Sequence, residues 1–429
     1  MTIPAQVDSG PSTSTRPQPR EGAFGPAREL VCRECGATRP LGQFYACSEC
    51  FGPLEIGYDF GTVTREQIEA GPNNQWRYKA LLPVPDDIET SPNLEPGFTR
   101  LLSANNLGAE LGIKTLWVKD DSTNPTNSFK DRVVAVALSA AREFGAKVFA
   151  CPSTGNLANA VAAAGARAGI KTVVFIPSDL ETPKQVNSAI YTANLVAVEG
   201  NYDDVNKLAS EITGEDDGWA FVNVNIRPYY AEGSKTLGYE IAEQLGWRLP
   251  DQVVIPVASG SQLTKVHKAF RELVKLGLVE DKPVKVFGAQ ATGCSPVVAS
   301  FKAGVDAIRP VKPDTIAKSL AIGNPADGIY VLDICKATGG AVEDVTDDEI
   351  REAIVLLART EGIFTETAGG TTLAVLKKLV ETGQLDPELE TVVINTGHGL
   401  KTLDAVTDLV GPAATIAPTY DAFVAAGIA

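Results

Sequence analysis

From residue 147 to residue 395 the chain repeats one pattern: a short run dominated by Val, Ile and Ala, a loop, then a longer stretch with apolar residues at helical spacing. The short runs at 147–151, 172–176, 195–198, 219–223, 252–257, 284–289 and 391–395 are predicted strands. The stretches at 158–168, 182–187, 203–212, 232–245, 263–276, 347–361 and 371–382 are predicted helices. Upstream, 115–119 reads as a strand, 133–144 as an Ala/Val-rich helix and 104–111 as a short helix; Thr64 is placed to cap another over 65–70. Apolar strands alternating with helices form parallel sheets covered on both faces, so the predicted fold class is α/β, doubly wound. Ligands of such sheets bind beyond the carboxyl ends of the strands, which directs attention to the loops leaving them.

Two regions fall outside the pattern. Residues 1–28 are rich in Pro, Ser, Thr and Gly and read as a disordered tail. Residues 29–60 carry two CxxC pairs, Cys32 with Cys35 and Cys47 with Cys50, separated by eleven residues. Two such knuckles can wrap four thiolates tetrahedrally around one zinc, which predicts a zinc-ribbon-like head holding one structural zinc. The alternative is four reduced cysteines closing a small hairpin without metal. Residues 61–95 are polar, with Trp76, Tyr78, Leu81 and Leu82 scattered among prolines, and carry no motif.

Charge and composition narrow the function classes. A net charge of −15 over 429 residues argues against a nucleic-acid or anionic-membrane surface. No apolar run reaches membrane-spanning length, and the amino terminus lacks a charged-then-apolar leader pattern. The expectation is a cytoplasmic protein, in which the lone Cys151, Cys294 and Cys335 act as small buried apolar residues.

Four loops at predicted strand ends hold the candidate chemistry. The first runs Asp121-Ser122-Thr123-Asn124-Pro125-Thr126-Asn127-Ser128-Phe129-Lys130-Asp131-Arg132. Its Asn, Pro, Ser and Thr residues make a turn into a helix. A lysine held on a rigid turn beside apolar groups is partly dehydrated, which favours the neutral amine that Schiff-base chemistry needs. The second, Ser153-Thr154-Gly155-Asn156, and the third, Ala258-Ser259-Gly260-Ser261-Gln262, offer backbone amides and hydroxyls at helix starts, suited to a carboxylate or a phosphate. Any good N-cap looks similar, so neither is specific alone. The fourth, Asn395-Thr396-Gly397-His398-Gly399-Leu400-Lys401, presents a neutral hydroxyl at a strand end, and His398 reads as a turn residue between glycines. Gly233-Ser234-Lys235-Thr236 is not a Walker A ending, and no GxGxxG follows a strand, which argues against a dinucleotide cofactor.

Taken in order, NPTNSFKDR, PSTGN, ASGSQLTK, FTETAGGTT and NTGHGLK resemble the motifs of the threonine synthase family, pyridoxal-phosphate enzymes of fold type II, over residues 29–410. The cysteine head resembles that of many archaeal and bacterial members. The resemblance implies two doubly wound α/β domains: a large one from 61–128 and 234–429 that binds the cofactor, and a small one from 129–233. It implies that Lys130 carries pyridoxal 5'-phosphate and acts as base and acid. Asn156 would bond the cofactor's phenolic oxygen, Ala258, Ser259, Gly260, Ser261 and Gln262 would cradle its phosphate, and Thr396 would face its ring nitrogen. Ser153, Thr154 and Gly155 would hold the substrate carboxylate.

The implied reaction converts O-phospho-L-homoserine and water to L-threonine and phosphate, in a homodimer. The family usually supplies an arginine just before EGxKT to meet the substrate phosphate. This chain reads Asn225-Ile226-Arg227-Pro228-Tyr229-Tyr230-Ala231-Glu232-Gly233, with a tyrosine nearest that place, so Asn225 and Arg227 are the candidate replacements. A serine/threonine dehydratase, or a cysteate-synthase-like enzyme using phosphoserine, would share Lys130 and Asn156 and differ only in the substrate pocket. A zinc-ribbon binding protein with a structural α/β body is the reading from another class.

Overall fold

The Val/Ile runs at 148–152, 252–256 and 391–395 become strands because they are buried on both faces, whereas the run at 195–198 forms a partly exposed edge strand. The computed structural model describes residues 19–428 apart from 154, 179–181, 192, 193, 201 and 217. Thirteen strands among the described residues make three sheets. The head contributes β1 (Ala27–Cys32), β2 (Thr38–Pro40) and β3 (Leu54–Tyr58), antiparallel in the order β2-β1-β3. The chain then lays down β4 (Arg100–Ser103) and β5 (Leu116–Asp120) before leaving to build a second sheet. That sheet comprises β6 (Val148–Pro152), β7 (Lys171–Pro177), β8 (Leu195–Val198) and β9 (Trp219–Phe221), all parallel, ordered β8-β7-β6-β9. On its return the chain adds β10 (Gln252–Pro256), β11 (Lys285–Ala291), β12 (Val342–Val345) and β13 (Thr391–Asn395). The resulting sheet runs β12-β11-β10-β13-β5-β4, parallel throughout except for β4. The strands of the smaller sheet all fall within 129–233, and those of the larger on either side of that interval.

Several boundaries differ from the sequence reading. The packed chain begins before residue 29: Ala23 and Phe24 are buried, and the Phe24 ring lies 4.9 Å from Phe144 and 5.2 Å from Tyr229. One aromatic residue in a Pro/Gly-rich stretch is enough to anchor it, since burying a Phe contributes roughly 2–3 kcal/mol. Residues 1–18 of the expected tail lie outside the described residues. The edge strands β4 and β12 were not predicted, because RLLS and VEDV have no apolar run and lie at the two rims of the sheet, where polar residues are favoured. The helix expected over 232–245 is broken into Arg227–Glu232 and Lys235–Gln244. Between them Gly233 crosses the Lys130–Glu143 helix so closely that a Cβ would stand 2.5 Å from Arg132 O.

The polar connector expected at 61–95 is better packed than its composition suggests. Thr64 does cap the helix Arg65–Glu69, with Gln67 completing a capping box. Beyond it, Trp76, Tyr78, Leu81 and Leu82 are fully buried. Cys151, Cys294 and Cys335 are buried as read, and burial pushes the Cys335 thiol up to about 12.

Candidate active site

Four strand-end loops meet at one cleft. After β5 the chain makes a short turn and enters the helix Lys130–Glu143, so Lys130 is its first residue. The turn is held from inside. Asp131 accepts from the Thr126 amide and hydroxyl, both at 2.6 Å, and burial pushes its carboxyl up to about 6. Asn127 adopts a left-handed φ of 60°, which Asn tolerates better than most residues. Arg132 is fully buried and donates to Asp121 at 2.7 and 2.8 Å and to Glu240 at 2.8 Å, fixing the helix start to the sheet. Lys119 joins Glu240 at 2.6 Å, so two cations balance two carboxylates in the dry interior.

The loop after β13 closes on the same turn. The Phe129 amide donates to Thr396 O at 2.8 Å, His398 N donates to Asn127 O at 3.1 Å, and Ser128 bridges Gly397. His398 Nδ1 accepts from the Leu400 amide at 3.1 Å, which is the work of a turn residue. Thr396 is buried, and its hydroxyl donates to Glu366 Oε1 at 2.8 Å. Asn156, first residue of the Asn156–Ala168 helix after β6, donates from Nδ2 to Glu366 Oε2 at 2.7 Å. Glu366 therefore joins the two residues expected to flank a cofactor ring. It was visible in the sequence only as part of FTETAGGTT, and nothing local marks it as a hub.

The third wall is the turn after β10. Ala258, Ser259, Gly260, Ser261 and Gln262 all line the cleft, with Lys130, Asn156 and Thr396. Gly260 has φ of 96°, and a Cβ there would stand 2.8 Å from Val331. It opens the helix Ser261–Lys275 with no side-chain cap, leaving first-turn amides for an anion. Two buried atoms of this cleft, Ser128 Oγ and Gln262 Nε2, have no hydrogen-bond partner within the protein. Unpartnered buried polar atoms are costly, and acceptor oxygens of a bound group would satisfy both. The donor set, the glycine cradle and the lysine fit pyridoxal phosphate.

Other expected contacts lie elsewhere. Ser153 is buried beside the cleft, its Oγ accepting from Gly155 N at 3.4 Å, and Gly155 is exposed at the loop crest. Thr154 lies outside the described residues. Neither Asn225 nor Arg227 lines the cleft. The Asn225 amide is spent on Phe221 N at 2.9 Å, Trp219 O at 2.9 Å and Gln43 at 2.8 Å. Arg227 pairs with Asp327 at 2.8 Å. The residue of that segment that does reach the cleft is Tyr230, the tyrosine nearest the expected arginine. Ser128, Ser234 and Ser319 line it as well and were not singled out in the sequence.

In the head, the Cys32, Cys35, Cys47 and Cys50 sulfurs all lie within 4.8 Å of one another. Cys32 and Cys50 stand 3.4 Å apart and Cys35 and Cys47 3.8 Å, close to the ~3.8 Å edge of a tetrahedron with ~2.3 Å metal–sulfur bonds. The Cys35 amide aimed at the Cys32 sulfur helps draw that thiol down to about 6. Cys50 accepts from Gly52 but is pushed up to about 12 as Cys32 and Cys35 crowd it. The sulfur spacing fits a structural metal held by the four thiolates.

Comparison with known proteins places this geometry. Residues 93–397 match the family model described as pyridoxal-phosphate dependent enzyme. The chain belongs to the pyridoxal-phosphate-dependent enzymes. Within this family it is 40% identical to the threonine synthase of Methanocaldococcus jannaschii, over 87% of this chain and 93% of that protein. It is 38% identical to the threonine synthase of Methanosarcina acetivorans, over 89% and 94%. Among solved structures, the processed threonine deaminase isoform 2 of Solanum lycopersicum overlays with a TM-score of 0.61 at 23% identity, covering 76% of this chain and 92% of that one. This last likeness is of fold alone, and it makes this member of the family an α/β protein of fold type II.

Proposed function

We propose that this chain is a threonine synthase, converting O-phospho-L-homoserine and water to L-threonine and phosphate. The observation that carries the reading is the convergence of Lys130, Asn156, the 258–262 turn and Thr396 on one cleft, in a chain whose relatives at 40% and 38% identity are threonine synthases. Bound pyridoxal phosphate supplies the electron sink that makes the substrate's carbon-bound protons removable. Lys130 holds the cofactor and moves protons at Nζ, as base and then as acid. The amides of 259–262, with Ser128 and Gln262, hold the cofactor phosphate. Asn156 and Thr396, both tied to Glu366, would orient the ring. Thr396, whose hydroxyl is held by Glu366, would face the ring nitrogen with a neutral group. Ser153, Thr154 and Gly155 take the substrate carboxylate. Tyr230 and Ser234 supply hydroxyls at the wall where the family has its arginine, and Arg227 reaches the substrate phosphate only by releasing Asp327.

One zinc on the four cysteines, a homodimer and a cytoplasmic location belong to the same reading. The sulfur geometry supports the first. Among the described residues no helix is long and apolar enough to cross a membrane. The test is to incubate the purified enzyme separately with O-phosphohomoserine, phosphoserine and threonine, reading phosphate, keto acid and amino-acid product. Phosphate and threonine from phosphohomoserine alone are expected. Keto acid from threonine, or phosphate only from phosphoserine, overturns the assignment in favour of a dehydratase or a cysteate-synthase-like enzyme.

A further inference from the structure

The cysteine head touches the body beside the turn assigned above to the cofactor phosphate. Arg33 lies inside the first CxxC pair. Its guanidinium carbon stands 3.4 Å over the Tyr330 ring, and Nη1 is 3.5 Å from Asp327 Oδ1. Asp327 is buried and faces two ways. Its other carboxylate oxygen pairs with Arg227 at 2.8 Å, while its backbone N–H donates to Ser259 O at 2.8 Å. It also floors the next residue of the turn, since a Cβ on Gly260 would stand 3.0 Å from Asp327 Cβ. A second tie starts from the same Arg33 Nη1, which lies 3.4 Å from Glu55 Oε1; Glu55 of β3 pairs in turn with Lys265 at 2.9 Å and Lys268 at 3.1 Å, on the helix whose first turn lines the cleft.

From this geometry we propose that Arg33 is a positioning residue for the cofactor: acting through Asp327, it holds the 258–260 turn in its anion-binding shape, so that the head sets the affinity for pyridoxal phosphate without touching it. The proposal rests on the assignment of that turn to the cofactor phosphate. Two physical effects act in the same direction. A turn built on a left-handed glycine is intrinsically adaptable, and holding its amides in place beforehand lowers the ordering cost of binding. The Asp327 carboxylate beside a phosphate site would also repel the anion unless neutralised, and Arg33 and Arg227 stand on its two oxygens. Because Cys32 and Cys35 bracket Arg33, the closure of that knuckle decides where the guanidinium stands.

The test uses the full chain, purified as holoenzyme, stripped of cofactor and re-titrated with pyridoxal phosphate. Arg33→Ala is expected to weaken cofactor affinity about five- to tenfold, while kcat at saturating cofactor stays within about twofold. Arg33→Lys, which keeps a charge facing Asp327, recovers most of the affinity. In an Asp327→Asn background, Arg33→Ala has no further effect. Glu34→Ala, which removes the neighbouring contact to Tyr330 without touching Asp327, leaves the affinity unchanged. If Arg33→Ala fails to fold, Arg33→Gln and the Asp327→Asn background carry the comparison. Equal cofactor affinity in wild type and Arg33 variants, or a loss of kcat at saturating cofactor without loss of affinity, overturns the proposal. A wild-type protein that takes up no pyridoxal phosphate strikes the underlying functional reading instead.

Discussion

Replacing Arg132 by Leu should destabilise the protein by about 3–5 kcal/mol, because it strips one cation from a closed, fully buried group of four charges. Arg132 donates to both oxygens of Asp121, to Thr99 Oγ1 and Thr236 Oγ1 at 3.0 Å, and to Glu240. Lys119 alone cannot balance what remains. The electrostatics of Glu240 point the same way. Burial would raise its carboxyl, yet Arg132 and Lys119 hold it at about 2, against the usual 4.5. A depression of that size corresponds to about 3 kcal/mol, fully present above pH ~4.5 and lost as pH falls toward ~2. In Arg132→Leu two buried carboxylates share the one remaining cation, Lys119, so burial favours protonating one of them. The variant's deficit should then be greatest at about pH 8 and shrink toward about pH 5, as that carboxylate takes up a proton. Thermal and urea unfolding of wild type and variant across that range read both the size and the slope. A deficit below about 1 kcal/mol, or one independent of pH, would refute the reasoning.

Other outcomes follow from single contacts. Glu366→Ala releases both Asn156 and Thr396 and should lower kcat/KM about 10- to 100-fold, by analogy with other orienting residues; unchanged kinetics would show that the two donors are positioned without it. Asn127→Gly should leave the melting temperature nearly unchanged, whereas Asn127→Val should cost about 1–2 kcal/mol, since a β-branched residue resists φ of 60°; equal melting temperatures would contradict the strained turn. Metal analysis should find about one zinc per wild-type chain and far less in Cys35→Ser, with the lost thiolate raising the reactivity of the remaining three towards a thiol reagent; zinc-free wild-type protein would favour the metal-free hairpin.

What could be read in advance was local. Lys130 stood out because its turn, its neighbours and the helix it opens are contiguous, and the cysteine pairs because ligand spacing is itself the signal. Parallel strands such as TVVIN and QVVIP announce themselves by being apolar on both faces. Glu366 did not, because its meaning lies in partners 210 and 30 residues away, and an acid before a helix is usually just an N-terminal charge. Arg227 and Tyr230 show the same limit. Proximity to a motif suggested the cation, but the direction in which each side chain leaves the Arg227–Glu232 helix is set by Asp327 on one side and the cleft on the other. The joint between Arg33 and Asp327 spans about two thirds of the chain and has no trace in either neighbourhood.

The central claim is that Lys130 carries the cofactor in a phosphohomoserine-converting site. Borohydride reduction of the purified enzyme, followed by peptide mapping beside the phosphohomoserine assay, tests it most directly. The account predicts that reduction abolishes turnover and leaves one pyridoxyl-modified peptide, the one containing Lys130. A modified lysine anywhere else, or full turnover after complete reduction, would contradict it.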